Sequence, residues 1–220
     1  MDYVNFSEEI HNSTKRDYLG RVNGGDKAAN AKIAKKFDKE FWDGDRKFGY
    51  GGHQYDGRWY PVAQKIAEHY RLSPGDKILD IGCGKGFMLY EFTKAVPGIE
   101  VTGIDISKYA IDHSKEEIRD RLSIGAAQDL LFEDNSFDFV FTFNTLHNLY
   151  VYDLKKAVQH IERISKGKSY ILVEAYRNEE EKTNLLYWQL TCECFFTPEE
   201  WRWLFSEWGY TGDYGFIFFE

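Results

Sequence analysis

Ile78-Leu79-Asp80-Ile81-Gly82-Cys83-Gly84-Lys85-Gly86 is the stretch whose reading decides the fold. It reads as a buried strand that breaks into a glycine-rich turn and then enters a helix near Phe87. Glycine lets the backbone bend sharply and lets a ligand approach it without a Cβ in the way. Nineteen residues beyond Gly86, a second apolar run, Val101-Thr102-Gly103-Ile104, ends on Asp105. An acid at that position can accept hydrogen bonds from both hydroxyls of a ribose. The pair of features points to an adenosine-containing ligand.

The spacing of the glycines narrows the ligand. A dinucleotide fingerprint reads G-x-G-x-x-G, set by a pyrophosphate on a helix N-terminus. Here Gly82, Gly84 and Gly86 alternate strictly, Phe87 stands where the third dinucleotide glycine would be, and Asp80 precedes the first glycine by two. The pattern D-x-G-x-G-x-G resembles motif I of the class I S-adenosylmethionine-dependent methyltransferases. The cofactor that this resemblance implies, S-adenosyl-L-methionine, has no phosphates. It carries a sulfonium, an ammonium and a carboxylate, so an acid beside the turn is useful rather than repulsive.

From Pro61 onward the chain is regular. Val62, Ala63, Ile66, Ala67 and Tyr70 make one helical face, with Pro61 in its first turn. Strands are expected over 77–81, 100–105, 122–126, 137–143 and 169–175, with helices over about 87–95, 108–120 and 153–165, the second capped by Ser107. This alternation predicts an α/β, Rossmann-like, doubly wound and mostly parallel sheet with helices on both faces. The tail departs from the usual pattern of the resembled family, which ends in a helix and a two-strand hairpin. Here a helix over 179–191 and a capped helix opening at Thr197-Pro198-Glu199-Glu200 leave one strong strand near 214–219, so about six strands are expected rather than seven.

The first 60 residues read as a separate segment, with a Rossmann-like domain over 61–220. Residues 26–42 suggest one helix carrying Ile33, Phe37 and Phe41 on a face. Trp42 to Trp59 is turn-rich, charged and aromatic, and loops seldom spend so many aromatics on solvent. It reads as a lid folded over the site, with Tyr50 and Trp59 as the ring faces for a cofactor cation.

Composition limits the partners. The 220 residues suit a single core, and the net charge of −8 without a basic block argues against a nucleic-acid track. No apolar run reaches membrane-spanning length. Three cysteines, Cys83, Cys192 and Cys194, give no disulfide framework and no convincing zinc pattern, which suits a cytoplasmic protein with no metal. The expected partner is a small-molecule acceptor, not nucleic acid or membrane.

Ligands of such a sheet bind where the strand order reverses, so 82–87, 105–106 and 144–150 are expected to converge. Gly82, Cys83, Gly84, Gly86, Asp105 and Ile106 are the candidate cofactor contacts there. By resemblance, Asp129 would meet the adenine amine and Asn144 the methionine end. His147, beside Asn144, is a candidate base or substrate ligand, and Glu174 and Tyr176 are candidate acceptor-side residues. A sugar hydroxyl would need a base, because its pKa is far above 7. An anionic oxygen would instead need cations, for which Arg58 and Arg177 are the candidates.

The whole chain also resembles small bacterial methyltransferases of surface-polysaccharide and capsule gene clusters. The shared runs are Phe41-Trp42-Asp43-Gly44-Asp45-Arg46, Tyr50-Gly51-Gly52, Asp56-Gly57-Arg58-Trp59, Thr145-Leu146-His147-Asn148, Glu174-Ala175-Tyr176-Arg177-Asn178-Glu179 and Gly212-Asp213-Tyr214. This implies O-methylation of an activated sugar or a phosphoramidate-type group. The alternative is a non-catalytic, regulatory cofactor-binding module. A nicotinamide oxidoreductase is disfavoured by the glycine spacing. Tyr152 and Lys156 have a Tyr-x-x-x-Lys spacing, but they follow the fourth strand rather than the fifth.

Overall fold

A computed structural model of the chain describes residues 1–12 and 16–220. Residues 13–15 of the amino-terminal segment therefore lie outside the described residues. The elements are α1 (Glu8–Asn12), α2 (Tyr18–Asn23), α3 (Lys27–Ala34), α4 (Lys39–Trp42), α5 (Tyr60–Tyr70), β1 (Lys77–Ile81), α6 (Phe87–Ala95), β2 (Glu100–Asp105), α7 (Lys108–Asp112), β3 (Leu122–Ile124), β4 (Phe139–Phe143), α8 (Val151–Ile164), β5 (Ser169–Glu174), α9 (Glu179–Trp188), α10 (Pro198–Glu207) and β6 (Asp213–Ile217).

The six strands form one parallel sheet in the order β3-β2-β1-β4-β5-β6. The chain winds outward from β1 through β2 to β3, then returns to β4 and winds the other way. The reversal lies between β1 and β4, where Asp80 faces Gly103 on one side and Phe141 on the other. The period-2 alternation of strand side chains splits the core in two. Phe139 and Phe141 join Tyr170 and Leu172 under α5 and α6, while Val140 joins Ile171 and Val173 under α8 and α10. Fully burying each such apolar side chain contributes roughly 1.5–3 kcal/mol.

Several boundaries move for identifiable reasons. The helix expected over 26–42 is two helices, because Phe37 adopts φ +49° and Asp38 caps α4 through the Lys39 N–H. The helix expected over 108–120 stops at Asp112. Lys115 turns extended and donates its N–H to the Lys85 carbonyl at 3.0 Å, and a 3-10 turn over Glu116–Arg121 follows. The strand expected over 137–143 begins its ladder at Phe139, with Phe137 making an isolated bridge to Ser165. The helix expected over 179–191 ends at Trp188. Ser107 and Thr197 cap as expected, the latter in a full capping box.

The outer edge of β6 is not left bare. Tyr3 bridges Tyr214 in parallel, the Val4 N–H donates to the Tyr214 carbonyl at 2.8 Å, and the Tyr170 hydroxyl donates to the Val4 carbonyl at 2.8 Å. Residues 2–4 thus cover an edge that would otherwise template aggregation. Among the described residues no helix is long and apolar enough to cross a membrane.

The loop 42–59 is pinned to the glycine turn by one carboxylate. Asp43 accepts from the Lys85 ammonium at 2.7 and 2.8 Å, from the Tyr109 hydroxyl at 2.9 Å and from the His53 N–H at 3.0 Å. Burial by itself would raise the Asp43 pKa, but Lys85, His53 and Tyr109 outweigh it and hold the carboxylate below its usual range. Trp42, Tyr50, His53 and Phe87 then run as a chain of stacked and tilted rings.

Two outcomes follow from this packing. Trp201 is fully buried, stacks on Phe205 and donates to the Glu174 carbonyl at 2.9 Å. Trp201→Ala is expected to lower unfolding free energy by about 3–5 kcal/mol, measured by urea denaturation. Asp43→Asn removes a charged partner from Lys85, whose side chain is 3% exposed. Amide exchange across 42–59 should then speed up at least about tenfold while the sheet amides keep their protection. Uniform exchange in both proteins would mean that Asp43 does not hold the loop.

Candidate functional site

Gly82, Gly84 and Gly86 all have positive φ, at 82°, 54° and 72°. A Cβ on Gly82 would lie 2.0 Å from Thr145 Oγ1, and one on Gly84 would lie 2.8 Å from the Trp42 ring, so side chains are excluded by space as well as by backbone strain. The turn is tied to β2. The Gly82 and Cys83 N–H groups donate to the Ile104 carbonyl at 2.8 and 3.0 Å, and the Gly84 N–H donates to Asp105 Oδ2 at 2.7 Å. The other Asp105 oxygen accepts from the Ser107 N–H at 2.7 Å. Burial pushes the Asp105 pKa up, and these two N–H groups oppose it.

Beside the turn opens a cavity of about 510 Å³. Its walls include Tyr50, Trp59, Asp80, Gly82, Cys83, Gly84, Asn144, His147, Glu174 and Arg58, ten of the residues singled out by sequence. Gly86, Asp105, Ile106, Asp129, Tyr176 and Arg177 do not line it. Gly86 instead caps α6. Ile106 and Asp129 are exposed on loops beyond the ends of β2 and β3. Trp42 reaches from the cavity wall toward them, donating through Nε1 to Ser107 Oγ at 2.9 Å. Tyr176 packs into the core with Lys182 over its ring. Arg177 is held by Glu181 and Glu220 and lies 4.0 Å over the Phe218 ring, which turns it away from the site.

The inner wall of the cavity is rich in acceptors that lack donors. Asp80 Oδ1, Asn144 Oδ1, Asn148 Oδ1 and Glu174 Oε2 are all buried without a hydrogen-bond partner. Asn144 is held there by a left-handed backbone at φ +56°. Burial, reinforced by Asp105, pushes the Asp80 carboxyl well above its ordinary pKa. Unpaired buried acceptors are costly, and a cation placed among them would relieve that cost. This donor-poor wall fits the ammonium and sulfonium of the cofactor that the sequence implies, and the Cβ-free turn fits its close approach.

His147 and Glu174 face each other across the floor. The His147 Nδ1 accepts from the Glu174 N–H at 3.4 Å, which puts the ring proton on Nε2, 3.5 Å from Glu174 Oε2. Burial pushes the His147 pKa down to about 3, so the ring is neutral at pH 7. Burial also pushes Glu174 up to about 8, against the opposing pull of Gln189, which donates to Oε1, and of Arg16. The group poised near neutrality is therefore the carboxyl rather than the imidazole. The three cysteines are free and buried, and among the described residues no three His, Cys, Asp or Glu side chains gather as a metal set.

The outer wall has the opposite character, and sequence reasoning missed it. Arg16, Arg21 and Arg46 line the cavity with Trp188, and their guanidinium carbons lie 5.7, 5.1 and 5.1 Å from the Trp188 ring centre. No local pattern marks them, since they come from the stretch before α2, from α2 itself and from the aromatic loop. Arg58 also lines the cavity but is paired with Asp56.

Residues 72–209 match the family model described as a methyltransferase domain. The chain is 31% identical over 123 residues to an uncharacterized methyltransferase of Synechocystis, covering 55% of each protein. It is 36% identical over 108 residues to demethylmenaquinone methyltransferase of Staphylococcus aureus, covering 47% of this chain and 44% of that one. The chain thus spans about half the length of these relatives. The solved structure of the YcgJ protein from Bacillus subtilis superposes with a TM-score of 0.56 at 24% identity, covering 70% of this chain and 68% of that one, and shares the fold. The family match runs from just before β1 to the end of α10, through the glycine turn, both sides of the sheet reversal and the His147–Glu174 pair, and the chain belongs to the methyltransferase domain family.

Proposed function

We propose that this protein transfers a methyl group from S-adenosyl-L-methionine to a hydroxyl oxygen of a small polar acceptor. The observation that carries the reading is the row of buried, unpartnered acceptors, Asp80 Oδ1, Asn144 Oδ1 and Glu174 Oε2, around a cavity beside a Cβ-free glycine turn. When bound, the cofactor supplies an electrophilic methyl carried on a sulfonium. Asp80 and Asn144 would accept hydrogen bonds from its ammonium, and Tyr50 and Trp59, on the same cavity wall, would offer aromatic rings to its cationic centre. Ile106 and Asp129, exposed beyond the ends of β2 and β3, would hold the adenosine end, above a turn that Asp105 fixes through the Gly84 and Ser107 N–H groups. The loop 42–59 acts as a lid that keeps water from the site, and holding nucleophile and methyl in line supplies much of the rate.

Glu174 Oε2 would take the proton of the acceptor hydroxyl, whose oxygen would bond to the methyl carbon as the carbon–sulfur bond of the cofactor breaks and its electron pair stays on sulfur. His147 orients that carboxyl with its Nε2 held 3.5 Å from Oε2, and Arg58, on the cavity wall, serves the acceptor side of the site. The resemblance to surface-polysaccharide and capsule methyltransferases supports a sugar-type precursor as acceptor and a cytoplasmic setting. The acidic chain without a basic track supports a small molecule rather than nucleic acid.

Calorimetry is expected to show S-adenosylhomocysteine binding and no NAD binding. Asp80→Asn should weaken that binding about 10- to 100-fold, since a charged hydrogen bond is lost, roughly 1.5–3 kcal/mol. Tight NAD binding, or unchanged affinity in Asp80→Asn, would contradict the assignment. Methyl transfer, followed as S-adenosylhomocysteine release across a panel of small hydroxylated acceptors, should depend on pH through Glu174. The carboxyl must be ionised to act as base, so kcat/KM should rise with pH toward a plateau above about 8. Glu174→Gln should remove that limb and cut kcat by about 10²–10⁴-fold. A Glu174→Gln enzyme with full activity and an unchanged profile would sink the base assignment.

A further inference from the structure

Resting on the reading of this cavity as a methyl-transfer site, we propose that Arg21 and Arg46, with Trp188 between them, bind a phosphate-class oxyanion on the acceptor, so that the substrate is a small phosphorylated molecule methylated at a hydroxyl distant from its phosphate.

The geometry carries this. Arg21 and Arg46 both line the cavity, and each guanidinium lies over the same Trp188 ring at 5.1 Å. Two cations on one ring repel each other, an arrangement that ordinarily calls for a shared carboxylate. Among the described residues neither pairs with one. Arg21 donates to the Trp188 carbonyl at 3.3 Å and to the Arg46 carbonyl, and Arg46 donates to the Gly49 carbonyl. Their partners are thus neutral backbone oxygens, while a guanidinium carries five N–H donors in a fork that matches an oxyanion. Burial and the neighbouring Arg46 push the Arg21 pKa down to about 10, a cost that a bound anion would reverse. Arg16 adds a third cation over Trp188 and interacts with His11.

This positive wall is local in a chain of net charge −8, so it is not an average property of the surface. It lines the same cavity as the unpartnered acceptors of Asp80, Asn144 and Glu174. A cation binds on one side and an anion on the other, and the acceptor hydroxyl then lies between its own anchored phosphate and Glu174. A phosphate fits better than a single carboxylate because several guanidiniums converge and a dianion neutralises more of them. All three arginines lie outside residues 72–209, while the Trp188 ring they share lies within them.

The test titrates inorganic pyrophosphate, with malonate as the carboxylate comparison, into protein saturated with S-adenosylhomocysteine, using calorimetry. Pyrophosphate should bind at least tenfold more tightly than malonate. Arg21→Gln and Arg46→Gln should each weaken pyrophosphate at least tenfold and leave S-adenosylhomocysteine affinity within twofold. Arg46→Lys, which keeps the charge, should retain part of the binding and covers the case of a poorly folded Gln variant. Absence of pyrophosphate binding, equal binding of malonate, or unchanged binding in both arginine variants overturns the proposal. Loss of S-adenosylhomocysteine affinity in the arginine variants also overturns it, because the wall would then hold the methionine carboxylate. If wild-type protein fails to bind S-adenosylhomocysteine at all, the methyl-transfer reading falls, and pyrophosphate titrated into the protein alone still decides the anion site.

Discussion

The constraint on which the rest of the structure depends is the closure of the glycine turn onto β2. Two N–H groups, of Gly82 and Cys83, share the Ile104 carbonyl, and the next, of Gly84, is taken by the Asp105 carboxylate. That closure requires positive φ at residues 82, 84 and 86 and leaves no room for side chains at 82 and 84. It fixes where α6 begins, where β2 ends and where the sheet reversal opens. The cavity beside it exists because the turn leaves it open.

Electrostatics then gives that cavity two dissimilar walls. The inner wall offers oxygen lone pairs with no donors, and burial drives Asp80 and Glu174 toward their neutral forms. The outer wall offers Arg21 and Arg46, whose hydrogen-bond partners are backbone carbonyls. Each wall alone is a cost to the folded protein, and the pull of Arg16 on Glu174 opposes but does not cancel the burial that raises Glu174. Such costs are characteristic of functional sites, where polar groups are held ready for a ligand rather than for each other. The same logic explains why His147 is not the titrating member of its pair. Its ring is buried with Nδ1 taken by the Glu174 N–H, and burial holds it neutral, so the proton-accepting capacity falls to the carboxyl.

The amino-terminal residues bind the two ends of the chain together. Residues 2–4 extend the sheet beside β6, and the aromatic loop is fastened to Lys85 of the glycine turn through Asp43. The family domain runs over 72–209, so both the edge cover and the arginines of the outer wall come from outside it. One fold serves different substrates through residues placed around a common scaffold.

What the sequence by itself determined was whatever local rules govern. Alternating glycines demanded positive φ, alternating apolar residues in β4 and β5 put Phe141 and Val140 on opposite faces, and Ser107 and Thr197 capped their helices. These depend on neighbours within a turn or two, so β1, β2, α6 and the inner cavity residues Asp80, Asn144 and Glu174 were legible. The break at Phe37 was not, because the helical face of Ile33, Phe37 and Phe41 competes with an Asp38 cap, and the site where Trp42 docks decides between them. Arg21 was illegible for a stronger reason, since it meets the Trp188 carbonyl from 167 residues away. Which of several arginines faces the cavity depends on how α2 docks against α9. Arg177, adjacent in sequence to the site, is instead captured by Glu181 and Glu220. Local backbone preference wrote the sheet and its turn, and long-range packing alone chose the charges that face the ligand.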